Sequence, residues 1–93
     1  MERALKKLPE LMTDPEFARA YAESEAEFTL ARELIKARVA AGLSQAELAR
    51  KMSTTQSVVA RLESGRHLPS LSTLKKLAEA TGAKLSIHLE TAE

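Results

Sequence analysis

The chain has 93 residues, no cysteine and a formal net charge of +1. That length supports one small domain with a single modest core, while a hydrophobic fraction of 44% argues against wholesale disorder and the missing cysteines exclude a disulfide framework or a thiolate metal site. No apolar run approaches the roughly 20 residues that span a bilayer, and the opening MERALKKLPEL lacks the apolar centre of a signal peptide, so a cytoplasmic protein is expected.

In chain order, residues 2–8 (ERALKKL) predict two helical turns with Leu5 and Leu8 on one side, ended by Pro9. Leu11 and Met12 follow, exposed unless something covers them. Asp14, Pro15 and Glu16 read as a helix start: an N-cap, a proline at the first helical position and an acid at the positive end of the dipole. Phe17, Ala18, Tyr21 and Phe28 then share a face, and the aromatics among them are expected to fold back on the core. No Gly or Pro interrupts residues 15–41, but the apolar face changes near residues 22–27, which favours two helices over one without fixing a gap. The second places Leu30, Ala31, Leu34, Ile35 and Val39 inward and closes at Gly42.

Residues 43–65, LSQAELARKMSTTQSVVARLESG, read as two short helices joined by a tight turn. Ser44 and Glu47 form a capping box, and a threonine of the Ser53-Thr54-Thr55 trio caps the second helix. In that helix Val58, Val59 and Leu62 lie on one side. Gln56, Ser57, Ala60, Arg61 and Ser64 lie on the other. A small inward residue, Ala49, lets the two helices approach closely, as a helix-turn-helix requires. The major groove of B-DNA admits such a helix, and Gln and Arg pair bidentately with adenine and guanine edges. The plain alternative is a helical hairpin whose polar face meets only water.

After Gly65 comes a polar loop with Arg66, His67 and Pro69. A further helix, capped by Ser70 or Ser72, turns Leu71, Leu74, Leu77 and Ala78 inward and ends at Gly82. Residues 84–90 alternate apolar and polar, the period of a half-buried strand. One strand cannot satisfy its own backbone groups, so pairing with a symmetry copy through Leu85, Ile87 and Leu89 is the economical expectation, against a frayed tail. Domain boundaries follow: 1–28 an N-terminal helical extension, 29–82 the DNA-binding domain, 83–93 a C-terminal strand and tail. Residues 1–28 carry four basic and seven acidic groups, net −3. Residues 29–93 carry ten and six, net +4. A basic body suits nucleic acid and an acidic extension suits a basic partner.

Nothing points to catalysis. His67 and His88 are far apart, neither sits beside a nucleophile, and no glycine-rich phosphate loop occurs. No enzyme activity, cofactor, metal or small-molecule ligand is expected.

These residues resemble a known family. Leu43-Ser44-Gln45, Leu48-Ala49, Thr54-Thr55-Gln56-Ser57, Arg61-Leu62-Glu63-Ser64-Gly65 and Pro69-Ser70-Leu71 stand in the order of the lambda-repressor-like (XRE) helix-turn-helix. The likeness runs from near Leu30 through Gly82, and with the flanking segments it is most similar to HigA-type antitoxins. The fold class implied is all-α: a lambda-repressor-like helix-turn-helix bundle with an N-terminal helical extension and one C-terminal β-strand pairing across a dimer. The resemblance implies that Gln45 and Arg66 reach phosphates, Thr54 and Thr55 touch the DNA backbone, Gln56 and Ser57 meet base edges, and Arg61 reads guanine or grips phosphate. It also implies an ion pair between Arg38 and Glu63 that orients the recognition helix. The partners implied are double-stranded operator DNA, a second copy of the chain, and a RelE/HigB-like ribonuclease toxin, for which Leu5, Leu8, Leu11 and Met12 are the candidate docking residues. A stand-alone repressor without a toxin is the alternative. One departure stands out: Ser53 occupies a position where the family usually has glycine and the backbone often has positive φ.

Overall fold

A computed structural model of the protein describes residues 14–91. The helix expected over residues 2–8, and with it Leu5, Leu8, Leu11 and Met12, lies outside the described residues. Four α-helices follow: α1 (Pro15–Ala40), α2 (Gln45–Lys51), α3 (Gln56–Leu62) and α4 (Leu71–Thr81).

Helix α1 starts as its sequence dictates. The Asp14 carboxylate accepts from the Glu16 N–H at 2.9 Å, and Pro15 sits where its missing donor goes unused. The helix then runs unbroken for 26 residues, about 39 Å at 1.5 Å per residue. The break favoured near residues 22–27 is absent. The apolar face does rotate there, but Ala22, Glu23, Ser24, Glu25, Ala26 and Glu27 contain no helix breaker, and a change of face needs no change of backbone.

Three helices end in one device. At the end of α1 the Gly42 N–H donates to the Val39 carbonyl (2.9 Å) and the Leu43 N–H to the Arg38 carbonyl (3.2 Å). At the end of α2 Ser53 donates to Arg50 (3.1 Å) and Thr54 to Ala49 (2.9 Å). At the end of α4 Gly82 and Ala83 donate to Glu79 and Ala78. The motif needs one residue in the left-handed region. In α2 that residue is Ser53, at φ 57°, which stores strain of about 1 kcal/mol.

The core is aliphatic, centred on Leu34, Leu48, Ala49, Met52, Val59, Leu62 and Leu77, with Leu30, Ala37, Leu43 and Leu74 packed around it. Leu48 and Val59 are wholly enclosed. The helix-turn-helix therefore sits between the C-terminal half of α1 and α4.

Two expectations are corrected, and a third, the C-terminal strand, has no partner in the single chain. Val39 is exposed, because at 100° per residue it stands about 140° around α1 from the buried Leu34, on the side that faces solvent. Phe17 and Tyr21 do not fold back on the core. The buried residues of α1 are Ala31 and Leu34, and its N-terminal half extends away from them in a molecule 45 Å long. Finally, residues 83–91 form no strand. Their apolar residues run past α1 and α4, where Leu85 and Ile87 border a cavity with Leu30, Leu34 and Leu77, but Leu89 is 96% exposed. A ladder needs a second strand, and the described residues of one chain provide none.

Candidate nucleic-acid interface

Helix α3 presents the candidate face. Thr55 caps it, its hydroxyl oxygen accepting from the Val58 N–H at 3.3 Å. Val59 and Leu62 are buried in the core cluster, so helical geometry leaves Gln56, Ser57, Ala60 and Arg61 outward, and all four are exposed. Val58, which the sequence places at the edge of the core, is exposed beside them. The first turn of α3 carries Gln56 and Ser57, and Arg61 stands one turn later. Beyond the helix, the Ser64 hydroxyl donates to the Arg61 carbonyl (2.7 Å) and accepts from the Arg66 N–H (3.2 Å). That small loop holds Arg66 on the surface next to the end of α3.

Glu63 fixes the angle of this helix. Its carboxylate takes a two-point bond from Arg38, Nε to Oε2 at 2.7 Å and Nη2 to Oε1 at 3.1 Å. Arg38 also donates from Nη1 to the Leu43 carbonyl at 2.9 Å. The Glu63 side chain is 4% exposed and that of Arg38 16%, so the pair is shielded from water and strong in a forked geometry. The hydrogen bond to Glu63 is the main reason the Arg38 guanidinium holds its proton more tightly than usual. Gln45 joins the cluster: its Nε2 donates to Glu63 Oε1 at 3.1 Å. One carboxylate thus ties the end of α1, the start of α2 and the end of α3 together. The Gln45 contact is not legible in sequence, because positions 45 and 63 belong to different helices and an amide carries no charge signal.

Gln45 keeps a second N–H, and it stands at the first position of α2, where backbone N–H groups lack intrahelical partners. Thr54, half-buried, and Thr55, exposed, lie in the turn between α2 and α3. The structure therefore brings Gln45, Thr54, Thr55, Gln56 and Ser57 to the α2–α3 junction, with Arg61 and Arg66 toward the far end of α3. Such a surface can offer base-reading side chains flanked by phosphate-binding donors. His67 is exposed in the following loop, and His88 lies 3.5 Å from Glu90 in the tail. Among the described residues no group of His, Asp or Glu side chains could hold a metal ion. No helix of the described residues is long and apolar enough to cross a membrane.

Comparison with known proteins agrees with this geometry. The model of the helix-turn-helix family matches residues 34–87, more than half of the chain. Over 65 residues the chain is 40% identical to an uncharacterized HTH-type transcriptional regulator of Haemophilus influenzae, a match covering 70% of this chain and 66% of that protein. No solved structure matches the chain. The chain belongs to the XRE-type helix-turn-helix family of transcriptional regulators.

Proposed function

We propose that this chain is a repressor that binds a palindromic operator as a dimer, with α3 in the major groove. The observation that carries the reading is the outward row of Gln56, Ser57 and Arg61 on a helix whose angle is set by Glu63. In this reading Gln56 and Ser57 meet base edges and Arg61 reads guanine or grips phosphate. Val58 reaches a thymine methyl, and Gln45, Thr54, Thr55 and Arg66 hold the backbone on either side. Dimerisation through Leu85, Ile87 and Leu89 is supported by the alternation of residues 84–90 and by the exposure of Ile87 and Leu89 in a single chain. A two-fold pair would set the recognition helices about 34 Å apart. The test is binding of Gln56→Ala to the selected operator and to random DNA. The substitution weakens the specific complex by roughly 1–3 kcal/mol and leaves the random one almost unchanged. Equal loss on both sequences removes Gln56 from base reading.

The narrower reading is an antitoxin of a type II toxin–antitoxin pair, HigA-like, neutralising a RelE/HigB-like ribonuclease. The acidic balance of residues 1–28 supports it, since an RNA-cleaving partner must be basic. A plain repressor fits the family and the Haemophilus influenzae relative equally well. Deleting residues 1–13 separates the two. An antitoxin keeps operator binding and loses affinity for the toxin co-purified from the adjoining open reading frame. A chain whose adjoining frame encodes no binding partner is a repressor alone.

A further inference from the structure

The exit of α3 is built unlike the other helix ends. Helices α1, α2 and α4 each close with a pair of backbone bonds into the helix, but after α3 the Ser64 N–H reaches the Arg61 carbonyl at 3.2 Å and the ladder stops. Among the described residues, the one hydrogen bond to the backbone of residues 65–68 runs from the Arg66 N–H to the Ser64 hydroxyl, at 3.2 Å. Gly65 is nonetheless buried, between exposed Ser64 and exposed Arg66. Its cover is Phe28 of α1. The three heavy atoms nearest to a Cβ placed on Gly65 all belong to that ring, with Cε1 at 2.8 Å and Cγ at 3.3 Å among them. Glycine has no Cβ, so the ring lies directly on the backbone there. Helix α1 therefore grips the exit of α3 at two points: Arg38 holds Glu63 and Phe28 covers Gly65. Arg66 is the next residue.

We propose that Phe28 is a positioning residue for DNA binding: its ring pins Gly65 and so presents Arg66 to a phosphate. The inference rests on the operator reading above, in which Arg66 holds the DNA backbone. A long side chain on an unanchored loop loses both loop and rotamer freedom when it binds, and that loss weakens the complex. With Gly65 fixed by Phe28, the loop is ordered on folding and only the side chain remains to be ordered at the DNA. Dispersion supplies the grip, because an aromatic ring packed on backbone makes many close contacts at once. Phe28 is half exposed, whereas the buried residues of α1 are Ala31 and Leu34. The ring thus stands at the rim of the core, and its work on residues 64–66 is separable from support of the fold. The role is independent of the antitoxin reading and holds equally for a plain repressor.

The experiment measures operator affinity across a salt series for the natural chain, Phe28→Ala, Phe28→Tyr, Arg66→Ala and the double variant Phe28→Ala with Arg66→Ala. Arg66→Ala lowers the slope of log affinity against log salt by about one, the mark of one lost phosphate contact. Phe28→Ala weakens binding about two- to tenfold and lowers the slope by part of that amount. Phe28→Tyr keeps the ring and binds as the natural chain does. In the Arg66→Ala background, Phe28→Ala costs nothing further, as befits two residues that act as one. Amide exchange on the free proteins separates positioning from general loosening. Phe28→Ala speeds exchange at the Arg66 N–H and leaves unchanged that of Met52, which is bonded to the Leu48 carbonyl beside the core. Unchanged binding by Phe28→Ala, an equal loss in both backgrounds, or exchange that rises alike at Arg66 and Met52 overturns the proposal and leaves the operator reading in place. Unchanged binding by Arg66→Ala removes Arg66 from the phosphate contacts, and the proposal falls with it.

Discussion

The two halves of α1 are one helix with two fates. From Leu30 onward it is tied down: Ala31 and Leu34 are buried in the core, and Arg38 is locked to Glu63 and Leu43. Before that Phe17 and Tyr21 lie on a surface the core does not cover, and Phe28, half exposed, stands at the boundary. Helix propensity is similar along both halves, so continuity of the backbone says nothing about which half is held by tertiary contacts. One residue links the first half to the segment that follows α3. The Phe28 ring lies over Gly65, where an added Cβ would come within 2.3 Å of it.

The contrast breaks most severely at Arg38. Arg38→Ala leaves the Glu63 carboxylate shielded with only Gln45 as a partner, and removing one member of such a pair costs about 3 kcal/mol or more. Arg19→Ala, in the exposed half, stays within about 0.5 kcal/mol. Urea unfolding of the two variants checks the difference, and equal midpoints would erase it. The junction comes next. Gly65 has φ +76°, so Gly65→Ala costs about 1–2 kcal/mol for the backbone alone. The ring contact adds to that, and the added part vanishes in a Phe28→Ala background. A cost identical in both backgrounds would show that the ring yields freely and that the halves are not coupled there.

A gain is expected in the turn of the helix-turn-helix, which repeats the device that closes the packed half of α1. Ser53→Gly relieves the left-handed strain and stabilises the fold by on the order of 1 kcal/mol in thermal or urea unfolding. No gain would mean that the serine conformation is not strained. The smallest effect belongs to the cap of α2. The Ser44 backbone N–H, together with the Ser44 hydroxyl, holds the Glu47 carboxyl below its usual 4.5. A carboxyl with a depressed folded value stabilises fully above the usual value, and that contribution is lost as pH falls through the folded one. Glu47→Ala is therefore less stable than the natural chain at neutral pH, and the gap narrows below pH 4.5. A gap constant down to acid pH would remove the ionised cap.

Much of this arrangement was legible in the residues because it is local. Asp14-Pro15, the Ser44 and Glu47 box, the Thr55 and Ser70 caps and the terminating Gly42 and Gly82 satisfy nearby backbone groups, and such chemistry depends on spacing of two to five residues. The outward row of α3 was legible for the same reason, since 100° per residue places Gln56, Ser57 and Arg61 opposite Val59 and Leu62 once the helix exists. Pairing Arg38 with Glu63 came from family likeness rather than spacing.

Tertiary structure decided what depends on which surfaces meet. Whether Phe17 and Tyr21 pack on the core turns on the angle between their stripe and the Leu30–Ala31–Leu34 row, and a periodicity cannot reveal what stands opposite each face. The joining of Gln45 to Glu63 depends on the closeness of two helix ends, which no local pattern encodes. The alternation of residues 84–90 fixes a period but not a partner, and one chain leaves it without a ladder. The residues set the helices and their faces, because those follow from bonds a few positions apart. The assembly of the faces set the rest, because burial is a property of the neighbour as much as of the residue.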